Sequence, residues 1–270
     1  MEVLDNLTLE SRNQRVLLFN KPNIIRYKRV VPIPMSTRHT AFVPAYKPPN
    51  DKDFDTIRYF IKRHQNILIL TGAGISTESG IPDYRSEDVG LYARSNHKPV
   101  QYQEFIKYAK VRQRYWARNF VGWPRFSTVL PNATHYAIRE LEKAKKVTAI
   151  VTQNVDRLHH KAGSNNIIEL HGSGYIVKCL HCPYEVERSE LQDKIMKENQ
   201  DMKSTITMIR PDGDVELSRD QIEKFKVPLC PECEGPLKPD IVFFGDNVPK
   251  HRVEIIRKEL QNNITSKRGE

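Results

Sequence analysis

Four cysteines, Cys179, Cys182, Cys230 and Cys233, are the only thiols in 270 residues, and they fall as two Cys-x-x-Cys pairs. Within each pair the two-residue gap lets a tight turn aim both sulfurs at one point about 2.3 Å from a metal, so two pairs complete a tetrahedral Zn²⁺ shell with no open position. A closed shell of this kind holds structure and performs no chemistry. The 47 residues from Pro183 to Leu229 exceed the roughly 15 to 20 between the pairs of a compact zinc ribbon, so an elaborated insert hangs from the metal. Two disulfides are the competing reading. They suit a short, disulfide-dense secreted scaffold, and this sequence has neither that character nor a secretory signal peptide.

The formal charge of +10 matters less than where it sits: residues 1–50 hold eight Lys or Arg against three acids, contributing +5. From Ser11 to Asn50 there is no Asp or Glu, while Arg12, Arg15, Lys21, Arg26, Lys28, Arg29 and Arg38 recur among Val16, Leu17, Leu18, Phe19, Ile24, Ile25 and Tyr27. This acid-free, Arg-rich, partly amphipathic composition predicts a mitochondrial transit peptide over residues 1–40, with a solvated basic arm as the alternative. Without it the remaining charge is about +5, which argues against a dedicated nucleic-acid surface, and no basic helix flanks the Cys pairs. No apolar run approaches the about 18 residues of a membrane span.

Asp51 to His64 reads as a helix, with acids in its first turn and Phe54, Ile57, Phe60 and Ile61 on one stripe. Ile67 to Leu70 then suits a strand buried on both faces of a parallel sheet, and it ends at Thr71-Gly72-Ala73-Gly74-Ile75-Ser76. A Gly-rich turn between a buried strand and a helix brings bare amides to a pyrophosphate. The third glycine of the dinucleotide fingerprint is missing, Thr77 standing in its place, so a plain structural turn remains an alternative on the glycines alone. Pro82 should end any helix there, leaving Asp83 and Arg85 on a loop above the turn.

Gln101 to Asn119 looks helical, and Pro131 to His135 opens another helix running to about Lys145, capped by Asn132 or Thr134. His135 reads as a packed or capping histidine rather than a catalyst. Val147–Thr152, Ile167–Leu170 and Asp240–Phe244 are three further buried strands, followed by Gln153-Asn154-Val155-Asp156, His171-Gly172 and Gly245-Asp246. Polar groups after successive strand ends mark the crevice where ligands bind in parallel α/β sheets. The Cys segment, Ser173 to Glu234, lies between the last two strands and reads as an inserted module, with a helix over Asp193–Met202 and a turn at Pro211-Asp212-Gly213-Asp214.

These residues together resemble the sirtuins: Gly72-Ala73-Gly74-Ile75-Ser76 with Gly80 to Arg85, then Thr152 to Asp156, Leu170-His171-Gly172, the two Cys pairs, and Lys238 to Gly245. The resemblance covers about residues 42–250, and Gly90 to Arg94 with Arg112 to Pro124 looks most like the family's mitochondrial class II branch. It implies an α/β fold: a Rossmann-like NAD-binding domain over residues 41–172 and 235–260 and a zinc-binding module over residues 173–234, while the polar composition of residues 261–270 predicts a disordered tail. It also implies NAD⁺ and one structural Zn²⁺ as cofactors, acylated-lysine proteins as substrates, the mitochondrial matrix as location, and removal of acyl groups from lysine or ADP-ribosyl transfer as chemistry.

In that mapping His171 is the general base and Asn154 and Asp156 hold the nicotinamide ribose. Gln153 takes the adjoining ribose, Gly72, Ala73, Gly74 and Ile75 offer amides to phosphate together with Arg85, and Asp83, with Tyr84 beside it, meets the carboxamide. Tyr115 and Arg118 share one helical face and match a pair that binds an acyl carboxylate in a class II relative, against the alternative of a core Tyr and a solvated Arg. The sequence departs from the family after the Phe-Phe-Gly segment, where the turns that cradle the adenosine half are not found. After a helix over Val248–Leu260 it ends in a polar tail. The expectation is a parallel sheet incomplete at its C-terminal side, with Ile241 and Phe243 exposed and NAD⁺ binding weakened. A catalytically impaired form acting by binding partners is the alternative function.

Overall fold

Three short aliphatic runs make a parallel sheet. Ile67–Thr71 (β1), Val147–Thr152 (β2) and Ile167–Glu169 (β3) pair in the order β1-β2-β3. Thr71 lies opposite Thr152, and Thr152 opposite Glu169, so the three C-terminal ends stand level and the segments after them leave the sheet at one edge. The computed structural model describes residues 40–94, 99–200, 202, 215 and 217–265, so the expected leader, Thr40 apart, and the 211–214 turn lie outside the described residues.

β2 is central, with Ala149 and Ile150 fully buried. β1 pairs on one side only among the described residues, and Leu70 is 61% exposed. The expectation of burial on both faces therefore fails for β1, because an apolar run specifies a strand without specifying how many neighbours it has.

A second sheet is antiparallel: Gly172–Cys179 (β4) is flanked by Glu185–Glu187 (β5) and Leu237–Ile241 (β6). This corrects the expectation of a fourth parallel strand at Asp240–Phe244. The segment pairs with β4, Gly172 opposite Ile241, and the Val242 N–H continues the ladder to the His171 carbonyl at 2.9 Å. Ile241 and Phe243 are accordingly 7% and 6% exposed, not open to solvent as expected.

Helices enclose these sheets. Asp51–Arg63 (α1) precedes β1 and is closed by a capping box between Asn50 and Asp53. Leu91–Arg94 (α2), Tyr102–Lys107 (α3) and Ala109–Thr128 (α4) follow the glycine turn, and the single helix expected from Gln101 to Asn119 is instead two, divided at the extended Tyr108. Ala133–Lys143 (α5) starts at Asn132, whose Oδ1 accepts from the N–H groups of Thr134 and His135. Leu158–Ala162 (α6) follows β2. Arg188–Glu198 (α7), begun five residues before the expected Asp193, and Arg219–Lys224 (α8) belong to the Cys-bearing insert. Lys250–Thr265 (α9) runs past the expected boundary at 260, so the first five residues of the expected tail are helical.

The core that matters for the site is built on α4. Tyr115, Trp116 and Phe120 pack against Phe105, Phe243, Val177 and Leu237, and the indole N–H of Trp116 donates to the Leu237 carbonyl at 2.9 Å. One helix thus joins the antiparallel sheet to the elements beside the cleft. Among the described residues no helix is long and apolar enough to cross a membrane.

Candidate active site

The level strand ends open onto a cleft of about 600 Å³. Ala73, Gly74, Asp83, Tyr84 and Arg85 border it from the β1 side, Gln153, Asn154 and Asp156 from the end of β2, and His171 from the end of β3. Of the site residues expected from sequence, these nine and Tyr115 line the cleft, whereas Gly72, Ile75 and Arg118 do not.

The turn explains its glycines only in part. The chain from Ala73 to Ser79 is a tight 3₁₀ helix, ended by Gly80 at φ +91°. Nothing lies within 4 Å of where a Cβ on Gly74 would stand, and the residue is exposed to the cleft, so its bare backbone is open to a close-lying ligand. Ile75 turns the other way, into the packing beneath α5 with Ile138 and Ile150.

Behind the turn's end, one buried hydroxyl joins two polar side chains. Ser76 Oγ donates to Asp156 Oδ2 at 2.7 Å and accepts from Asn154 Nδ2 at 3.1 Å. Asp156 Oδ1 takes the Leu158 N–H at 2.9 Å, opening α6. Asp156 is 4% exposed, and its burial raises the carboxyl pKa against the opposing pull of these hydrogen bonds. With both oxygens engaged, Asp156 orients Ser76 and Asn154 more than it offers itself. In the sequence Ser76 stands in the turn motif without a role of its own, because a serine in a turn is common; the folded contact between positions 76 and 156 supplies one.

On the loop above, Asp83 is engaged as well: Ser86 donates its N–H to Oδ1 at 2.9 Å and its hydroxyl to Oδ2. Gly90 closes this loop, since a Cβ there would stand 2.6 Å from the Ser86 backbone.

His171 Nδ1 lies 3.1 Å from the Gln153 carbonyl oxygen, which can only accept, so Nδ1 carries the proton and Nε2 is left with its lone pair. Burial is the largest influence on its pKa and lowers it from 6.5. The Arg252 guanidinium adds to that effect, and the Gln153 bond opposes it. The imidazole is therefore neutral at neutral pH, a base with a free acceptor nitrogen. Gly172 behind it has φ +81° and lies so close to Asp240 that a Cβ would stand 1.8 Å from that carbonyl oxygen.

The four cysteine sulfurs lie within 4.8 Å of one another, with Cys179 to Cys233 and Cys182 to Cys230 each at 3.5 Å. Tetrahedral ligands about 2.3 Å from Zn²⁺ stand about 3.8 Å apart, whereas a disulfide needs about 2.05 Å, so the set fits the metal and not the two disulfides. All four thiols are free. Gly235, unnoticed in the sequence, keeps the site open, because a Cβ there would come within about 3 Å of Cys233 Sγ, Cys179 Sγ and His181 Nδ1.

With this geometry in hand, likenesses to known proteins are informative. The profile of the Sir2 family matches residues 72–265. The NAD-dependent protein deacylase Sirt4 of Drosophila melanogaster is 57% identical over 227 residues, 84% of this chain and 73% of the fly protein. The human NAD-dependent protein lipoamidase sirtuin-4, mitochondrial, is 49% identical over 82% of this chain and 70% of its own length. Among solved structures, a Sir2 enzyme superposes with a TM-score of 0.57 at 28% identity, over 78% of this chain and 72% of its own. A Sir2 complex with p53 peptide and NAD⁺ superposes with a TM-score of 0.53 at the same identity, over 76% and 69%.

Proposed function

The chain belongs to the Sir2 family, and from that premise we propose that it is an NAD⁺-dependent protein lysine deacylase, with ADP-ribosyl transfer to protein as a second outcome of the same chemistry. The observation that carries this reading is the convergence of His171, with a free Nε2, and the open backbone at Ala73 and Gly74 on one cleft. The cleft fits a dinucleotide. Gly74 lets the main chain approach a pyrophosphate, Arg85 is an exposed cation on the rim, and Asn154, oriented by Ser76, offers its amide to a ribose.

When bound, NAD⁺ supplies an anomeric carbon bearing a cationic leaving group. Asn154, held by Ser76 and through it by Asp156, fixes the ribose. His171 takes a proton from a ribose hydroxyl at Nε2, and its Nδ1–H bond to Gln153 keeps the ring in the tautomer that can do so. Ile81, Val155, Phe243 and Phe244 give the cleft apolar walls that exclude water, and Tyr115 borders the acyl side. The four-cysteine centre would hold Zn²⁺ as a structural ion; every coordination position is taken by sulfur. An Arg-rich leader and relatives named mitochondrial support a mitochondrial protein, and the matrix as its compartment.

The test is nicotinamide release from NAD⁺ by the full chain, with acetyl-, glutaryl- and lipoyl-lysine peptides, beside His171→Tyr. Release that depends on acyl peptide and falls about 100-fold or more in the variant is the expected result, the scale of losing a general base. No release by the wild type, or release that survives the substitution, would overturn the proposal.

A further inference from the structure

The glycine turn that faces the cleft is held from behind by polar side chains that do not line the cleft. At its start, Thr71 Oγ1 lies 3.0 Å from His159 Nε2. At its other end, Asn132 Nδ2 donates to the Ile75 carbonyl oxygen at 2.7 Å, a bond between positions 57 residues apart. The two anchors meet: Asn132 Oδ1 lies 3.0 Å from His135 Nδ1, and the His135 ring packs against the His159 ring with centroids 4.9 Å apart. His135 and His159 are 0% and 2% exposed. Burial, the largest influence on each, lowers their pKa values to about 3 and about 4, so both rings are neutral.

Packing alone does not account for this layer. Among the described residues His135 Nε2 and His159 Nδ1 are buried without a hydrogen-bond partner, and an apolar side chain of similar size would fill the space without leaving such nitrogens unmatched. What the imidazole of His159 adds is its bond to Thr71. The turn's own bonds, Ile75 N–H to the Gly72 carbonyl and Thr77 hydroxyl to the Gly74 carbonyl, fix its shape but not its placement over the sheet. Ser76 to Asp156 ties it on the cleft side, and Thr71 and Ile75 tie it on the far side.

We propose that Asn132 and His159 are positioning residues for dinucleotide binding, joined by His135 into a clamp that sets where the Gly72–Gly74 backbone stands and so governs NAD⁺ affinity without touching the ligand. The inference rests on the NAD⁺ reading of the cleft. Asn132→Ser separates it from helix capping, since serine is an equally good cap but has no donor that reaches Ile75. His159→Leu removes the Thr71 bond, and His159→Gln restores a polar group at its reach.

Asn132→Ser and His159→Leu should each raise the NAD⁺ Kd, measured by calorimetry, about tenfold, the factor that corresponds to about 1.4 kcal/mol. The KM for acyl peptide and kcat at saturating NAD⁺ should stay within about twofold, and His159→Gln should recover most of the affinity. Hydrogen exchange should quicken selectively at the amides of residues 72–76. Wild-type NAD⁺ affinity in both Asn132→Ser and His159→Leu, or faster exchange spread evenly over the chain, would overturn the inference and leave the deacylase reading intact. If one of the two fails to fold, the other carries the comparison. A wild-type chain that binds no NAD⁺ would sink the functional reading and this inference with it.

Discussion

Gly172→Ala should be far more damaging than its single methyl suggests. The residue has φ +81°, and the added Cβ would stand 1.8 Å from the Asp240 carbonyl oxygen and 2.8 Å from Arg252 Nη1. Carbon contacts begin at about 3.5 Å, so the backbone of β6 must withdraw by roughly 1.5 Å or β4 must tilt away from it. A left-handed backbone on a residue with a side chain costs about 1–2 kcal/mol. The displaced ladder adds about 1 kcal/mol for each bond lost, including the one from Val242 N–H to His171 O at 2.9 Å. The sum is about 3–5 kcal/mol, a large share of the 5–15 kcal/mol that typical folds hold. At about 2–4 °C per kcal/mol for a domain of this size, the midpoint should fall by about 12 °C in calorimetry of the zinc-loaded chain. Gly74→Ala is the control, because its Cβ meets nothing within 4 Å and the midpoint should move by no more than about 2 °C. A Gly172→Ala midpoint within about 3 °C of wild type would refute the steric argument.

Two further outcomes follow from buried charge and from what faces the cleft. Glu169 has its pKa raised from 4.5 to about 7, chiefly by burial, with Arg157 and Arg252 opposing. The folded chain thus holds more protons than the unfolded one between those values, and this carboxyl's contribution to stability is lost as pH rises through about 7. Glu169→Gln, which cannot ionise, should raise the midpoint at pH 8 by an amount worth at most about 3 kcal/mol and much less at pH 5; equal shifts at both would contradict the assignment. Arg118 is 7% exposed and absent from the cleft lining, while Tyr115 on the same helix reaches it. Arg118→Ala should therefore leave the ratio of glutaryl to acetyl turnover within about threefold, the effect of roughly 0.7 kcal/mol. A collapse of that ratio would restore the carboxylate role suggested by the Tyr-x-x-Arg spacing.

Features that depend on spacing along the chain were legible in the sequence. The cysteine pairs, the strands β2 and β3, the cap at Asn132 and the glycine turn each rest on neighbours a few residues apart. Pairing was not legible. Asp240–Phe244 carries the same apolar signal whether it joins a parallel sheet or folds back on β4, and only the long-range contact of Ile241 with Gly172 decides. The same holds for Ser76, whose partner lies 80 residues away, and for Arg118, since a shared helical face does not say what that face meets.

The placement of His171 shows why both sheets are needed at once. Before it, the Leu170 N–H donates to the Thr152 carbonyl at 2.8 Å, so that residue belongs to the parallel sheet. At His171 itself the carbonyl accepts from Val242, which continues β6 of the antiparallel sheet, and the ring is held by the Gln153 carbonyl at the end of β2. The imidazole thus occupies the single step where the chain passes from one sheet to the other, and Gly172 supplies the backbone turn that this passage requires. β4 and β6 are also the strands that end at Cys179 and begin just after Cys233. The cysteines therefore close the far end of the β4–β6 pairing whose other end stands beside the proposed base, and a shift of register between Ser173 and Val177 separates the two ends.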